Sequence, residues 1–210
     1  QRAVAALAHH GREMDELAGL RAANDPSRLV AKIASTGESP ETCFVAAERR
    51  DLDIERRMVV VQEDIDWAVY GMVGLCNDKQ AAPMPSGTTL SAADRPFLRA
   101  TVPADLAKES AACWHVRRIA LGEIAELALI ENLVCKRKWM GGARGSFALK
   151  AMTYQERCVK ACMEWIAERA EGFFGEAVAT HGPRAIAAFL GTSVSVAIAG
   201  YAANGAEMRA

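Results

Sequence analysis

The stretch RMVVVQEDIDWAVYGMVGL, Arg57 to Leu75, is the one whose reading decides the fold. Followed back to Phe44, apolar or small side chains recur at Phe44, Ala47, Ile54, Met58, Val61, Ile65, Ala68, Met72 and Leu75, alternating by three and four except at the heptad slot held by Asp51. That is the period of one helix face, so the stretch predicts one long helix with a coiled-coil-like seam. Met58 and Ile65 are expected to be buried in the seam, whereas Glu63 and Asp64 fall outside it. Trp67 and Tyr70 also lie off the seam, where they would cover a flank or form a docking face. Ser39 is the expected N-cap, with Pro40 in the first helical position, where a missing N–H does no harm.

Working outward, Gln1 to Ala23 offers Val4, Leu7, Met14, Leu17 and Leu20, enough for a helix lying antiparallel against the longer one. Between them Asp25-Pro26 opens a short helix with Leu29, Val30 and Ile33, expected to end near Gly37. After Leu75 the pattern dissolves into CNDKQAAPMPSGTTLSAADRP, and four of the seven prolines lie between Cys76 and Pro103. This composition predicts a linker or irregular loop. Helix resumes around Pro103 to Asp105 and runs, with or without a break, to Trp139, with Val116, Ala120, Ile124, Leu127 and Val134 on one face. Gly141-Gly142 stops it. Further helices are expected over Tyr154 to Ala170, from Pro183 through Leu190, and over Thr192 to Met208, although Ser193 to Val196 also reads as a short strand. The fold class is therefore predominantly α: a helical hairpin spacer over 1–75, a proline-rich linker over 76–103, and a helical region with a basic loop over 104–210.

Composition limits what such a chain does. With 210 residues, 51% hydrophobic and 24% charged, it is long enough for one sizeable core or two small ones. Its net charge of −1 means that contact with a polyanion must come from a local patch. Six scattered cysteines, with no apolar signal segment ahead of them, point to reduced thiols in a cytoplasmic protein. No apolar run approaches the ~18 residues needed to cross a bilayer, so no membrane partner is expected. Gln1 opens in the middle of a helical pattern, which suggests a piece of a longer chain.

Taken with ALIENLVCKRKW, Ala128 to Trp139, the opening stretch resembles the C-terminal part of the adenine-specific DNA methyltransferases of BREX phage-defence systems, relatives of the fused restriction–modification methyltransferases. In that family an Arg-Met-Val run, Gln-Glu-Glu-Leu-Asp-Trp, Val-Tyr and a closing Tyr-Gly-Leu are expected. The chain supplies Arg57, Met58, Val59, Gln62, Glu63, Asp64, Ile65, Asp66, Trp67, Val69, Tyr70, Gly74 and Leu75, with Val73 where the family has tyrosine. The second block is expected as Glu-x-Pro-Glu-Tyr-Lys-Arg-Arg-Trp; here Leu133, Val134 and Cys135 replace the proline, glutamate and tyrosine. Trp114-His115, the Arg117-Arg118 pair and Gln155-Glu156-Arg157 extend the likeness more loosely. The resemblance implies a region downstream of a catalytic domain that transfers methyl from S-adenosylmethionine to adenine N6 in duplex DNA. Its implied partners are duplex DNA, that upstream methyltransferase domain and other phage-defence proteins.

The chain itself lacks that chemistry. There is no Pro-Pro pair to hold a flipped adenine, and no glycine-rich turn between a strand and a helix to hold the cofactor. No catalytic, cofactor-binding or metal-binding residue is therefore assigned; Cys158 and Cys162 sit four apart on a helix, but neither His9-His10 nor His181 is placed by the sequence to complete a site. The candidate DNA contacts are Lys136, Arg137, Lys138, Arg144 and Lys150, because no acid lies between Glu131 and Glu156 and the Gly-Gly-Ala-Arg-Gly segment adds accessible backbone amides. The plain alternative is a solvated helix end, whose cations complement the helix dipole. Two other classes stand beside DNA positioning: a coiled-coil interaction module without DNA contact, which the long seam supports, and a small hydrolase, for which only unplaced cysteines and histidines speak.

Overall fold

A computed structural model of the chain describes residues 2–136, 152–174 and 193–207, and among these it is predominantly helical, with no strand. The helices are α1 (Arg2–Ala23), α2 (Pro26–Thr36), α3 (Pro40–Met72), α4 (Asp78–Ala81), α5 (Lys108–Glu123), α6 (Ala125–Ile130), α7 (Leu133–Lys136), α8 (Tyr154–Phe174) and α9 (Ser193–Glu207), with a 3-10 turn at Ala92–Asp94. No described helix is long and apolar enough to cross a membrane.

Local signals explain several of these boundaries. Asp25 caps α2 by accepting from the Ser27 amide, and Gly37 ends it at φ 72°, a left-handed conformation open to glycine at little cost, with its N–H returned to the Ile33 carbonyl. α3 starts at Pro40, as the Ser39-Pro40 pair predicts. Ser193 to Val196 lie in helix α9, not in a strand. The helix expected after Pro103, with or without a break, is broken into three pieces over the described residues. α5 starts only at Lys108, Ile124 is extended at ψ 104°, and Glu131 closes α6. The helix expected over 183–190 lies outside the described residues.

By packing, the chain divides into two units, Gln1–Leu20 with Leu52–Ala151, and Arg21–Asp51 with Met152–Ala210. This differs from the three-region division expected from sequence. Two of the three long helices, α1 and α3, contribute residues to both units, and α8 belongs to the second. The proline-rich stretch also belongs inside the first unit, where Met84, Leu90 and Arg95 are buried.

The second unit has an apolar core. Val30 and Ile33 of α2, Phe44 and Ala47 of α3, Cys158, Ala161, Cys162 and Ile166 of α8, and Ile198, Ala199 and Ala202 of α9 form one cluster. Small residues let the helices approach closely: a Cβ added at Gly205 of α9 would collide with Val159 of α8. The buried Asp51, the polar interruption of the seam, is held by Arg21 at 3.2 Å and Arg157 at 3.2 Å. Asn24 donates to the Ala47 carbonyl at 2.6 Å, and its own carbonyl accepts from the Tyr154 hydroxyl at 2.7 Å.

In the first unit the predicted seam is only partly the buried face. Val61 and Ala68 are buried, yet Met58 and Ile65 are half-exposed and Met72 is exposed, while Glu63 and Asp64 are 1% and 2% exposed. The burial of Met58 and Ile65 expected from the period is thus corrected: α3 also turns inward the stripe Val60, Glu63, Asp64, Trp67 and Tyr70. Val60, Asp64 and Trp67 repeat the four-and-three spacing one residue ahead of Val61, Ile65 and Ala68, and Glu63 and Tyr70 widen that stripe. Periodicity overlooks this stripe because its middle is charged.

Candidate functional site: a buried charge network

Trp67 lies at the centre of the first unit, fully buried, in a cluster with Tyr70, Ala120, Leu121 and Leu127. A neighbouring cluster joins Val60, Met84, Leu90 and Trp114. Neither Trp67 nor Tyr70 forms a flank or an outward docking face, because both rings are core. Around them runs a continuous set of charges.

Glu63 accepts from Trp67 Nε1 at 3.2 Å through one oxygen and from Arg95 Nε through the other. Arg95 Nη2 also reaches Asp66 at 3.0 Å, and the same Asp66 oxygen takes Lys136 Nζ at 2.6 Å. Lys136 Nζ continues to Glu131 at 2.6 Å and to the Tyr70 hydroxyl at 3.0 Å. Tyr70 in turn donates to Glu131 at 2.5 Å. Gln62 closes the remaining side by donating to Asp66 at 2.9 Å. Beside this chain Asp64 accepts from Arg117 Nη2 at 2.7 Å and from the Met84 amide at 3.0 Å. Arg117 also stacks over the Trp67 ring at 5.6 Å.

The proline-rich segment completes the network and is not a free linker. Asn77 caps α4 in a reciprocal box with Gln80. The chain then passes Ala82, whose carbonyl accepts from Arg117 at 2.8 Å, and delivers Arg95 onto Glu63. Thr88 pairs with Ser110 at 2.7 Å, and the Asp94 carbonyl accepts from Trp114 Nε1 at 2.7 Å. Pro83, Pro85 and Pro96 cannot donate a backbone hydrogen bond. Side-chain contacts to neighbouring backbone groups help fix this path between α4, the 3-10 turn and α5.

Burial sets the electrostatics. Desolvation, then the charges of Glu131 and its neighbours, push the Tyr70 phenol far above its usual range. Glu131 is raised by burial and by Glu63, against the pull of Lys136. Four acids, Glu63, Asp64, Asp66 and Glu131, face three cations, Arg95, Arg117 and Lys136, leaving one negative charge in excess if all ionise. The upward shift at Glu131 is in keeping with that excess.

The sequence-predicted DNA contacts fall unevenly against this geometry. Lys136 does not fit that role: its side chain is 7% exposed and its ammonium is committed to Asp66, Glu131 and Tyr70. Arg137, Lys138, Arg144 and Lys150 lie outside the described residues. His115 is exposed on α5, whereas Arg117 is completely buried. Cys158 and Cys162 are buried in the second unit, their thiols pushed up to about 12 mainly by burial. Sequence reasoning missed Arg95 and Arg117 as partners of the Glu63 to Asp66 run. The available signal was the Ser110, Trp114, Arg117, Leu121 spacing of α5, which puts an arginine on the apolar face. Among the described residues, the group with metal-ligand character is His9, His10 and Glu13 of α1. Compared with known protein families, curated proteins and solved structures, the chain matches none.

Proposed function

We propose that this chain is the helical, non-catalytic region downstream of the catalytic domain in an adenine-specific DNA methyltransferase of the BREX type, where it holds DNA or the target-recognition part in place. The observation that carries the reading is where the resembling residues meet. Asp66 and Tyr70 from the first block close on Glu131 and Lys136 from the second, 61 to 70 residues apart along the chain. The two blocks therefore behave as one structural unit, which supports a shared scaffold over two unrelated coincidences. S-adenosylmethionine and the flipped adenine would be bound upstream, in a cytoplasmic parent. The cations left to face duplex DNA are Arg137, Lys138, Arg144 and Lys150, since Lys136 serves the interior.

Fluorescence anisotropy with duplex DNA across a salt series tests this. Binding should be weak and largely independent of sequence, because phosphate contacts position a protein without reading bases. Replacing Arg137, Lys138 and Arg144 together by Gln should reduce the logarithmic salt slope by roughly two to three units, at ~0.9 per phosphate contact. Unchanged slope and affinity in a folded variant would remove the DNA role. The second reading, an interaction module without DNA contact, is favoured by Val69, Met72 and Val73, which are 39%, 48% and 64% exposed at helical spacing near the end of α3. In that case DNA binding is absent, and serine at these three positions abolishes a concentration-dependent association seen by analytical ultracentrifugation.

A further inference from the structure

We infer that His9, His10 and Glu13 of α1 form a site for one divalent transition-metal ion of the zinc type. One ligand atom from each of the three lies within 4.8 Å of the other two. His9 and Glu13 are four apart, and His10 and Glu13 three apart, so one helical turn gathers all three. Two imidazole nitrogens and a carboxylate oxygen suit zinc, cobalt or nickel better than magnesium or calcium, which prefer all-oxygen shells.

Two further observations point to a ligand. His10 is 6% exposed, and its Nδ1 is buried without a hydrogen-bond partner. The nearest charged neighbour on the same turn, Glu13 Oε2, is 4.0 Å away, too far for a hydrogen bond. A metal bonded at ~2.0–2.2 Å to both atoms needs them roughly 3.4 Å apart at a tetrahedral angle, so a small side-chain rotation closes the gap. Arg57 holds the other Glu13 oxygen, with Nε donating to Oε1 at 2.7 Å, and thereby aims Oε2 toward His10. Hydrogen bonding to a ligating carboxylate in this way fixes its orientation. His9 and Glu13 line an open cleft of about 310 Å³ together with Arg12, Glu16, Arg57 and Ser86. Glu16 adds a further carboxylate to that cleft.

The test titrates the metal-stripped 210-residue chain with Co²⁺, following visible and near-ultraviolet absorption. One equivalent should bind with nitrogen–oxygen ligand-field bands and no thiolate-to-cobalt charge transfer, and Zn²⁺ should displace it. His9 is exposed, so His9→Gln leaves the fold intact by circular dichroism; it should weaken binding at least roughly tenfold. The double change Cys158→Ser and Cys162→Ser should leave the cobalt spectrum and affinity unchanged. Absence of stoichiometric uptake, a thiolate charge-transfer band, or equal affinity in His9→Gln would each overturn the assignment.

Discussion

The two units are stabilised by opposite means. The second packs alanines, cysteines and branched aliphatic residues into one cluster, and beside it the buried Asp51 sits between two arginines. The first surrounds Trp67 with four acids and three cations joined through Tyr70. Apolar burial is non-directional and graded, so changes there scale with volume. A buried ionic network behaves otherwise: each member is needed to compensate the next, and its loss strands a charge. In the second unit the cost of a substitution should therefore follow the volume added or removed, while in the first it should follow the charge left without a partner.

The largest expected effect is at Arg117. Its side chain is fully buried against Asp64, which is 2% exposed, so Arg117→Ala leaves an uncompensated carboxylate in the core. The cost should be about 3–5 kcal/mol, read from loss of hydrogen-exchange protection in α5 while α8 keeps its own. A cost near zero would show that the network fills space without holding the unit. Next in size is Gly205→Ala, which drives a methyl into Val159. Overpacking of this kind costs ~1–3 kcal/mol, and adding Val159→Ala should recover most of it, because the two sites share one contact. Failure of the second change to rescue the first, in urea melts followed at Trp165, would place the strain elsewhere.

How far the sequence reveals this architecture depends on the kind of signal. α2 was legible to the residue, since Asp25-Pro26 and Gly37 carry their own backbone chemistry. The extent of α3 followed from its seam and from Pro40. Which face of α3 turns inward did not, because a periodicity that counts Glu63 and Asp64 as surface residues has no means of knowing that Arg95 and Arg117 come to meet them. Those partners arrive from 32 and 53 residues away, and pairing at that distance leaves no local trace. The same reason makes the proline-rich stretch read as a linker or irregular loop. Its order comes from single contacts such as Met84 to Asp64, not from any repeat of its own. Lys136 read as one more cation in a basic run, although Asp66 and Glu131 claim it.

The smallest effect, and the most specific to the network, is a dependence on pH at Glu131. Burial and the neighbouring Glu63 hold its folded pKa above the ordinary glutamate range. The folded state then binds this proton more tightly than the unfolded chain does, so stability falls as pH rises from the ordinary glutamate range through the raised value, and levels off above it. Asp94 acts in the opposite sense: the Ser91 hydrogen bond and Arg99 lower its pKa, so the stability it adds is present above the ordinary aspartate range and is lost on further acidification. In the second unit the displaced groups include Cys158 and Cys162, raised to about 12, which release protons only in alkali and add no slope in the acid to neutral range. Urea midpoints of a Trp165→Phe chain, in which the described tryptophans that remain, Trp67 and Trp114, belong to the first unit, should thus decline as pH rises above the ordinary glutamate range. Glu131→Gln keeps an acceptor for the Tyr70 hydroxyl but carries no titrating proton, so the decline should flatten in that background. An unaltered slope would overturn the assignment of this pH dependence to Glu131.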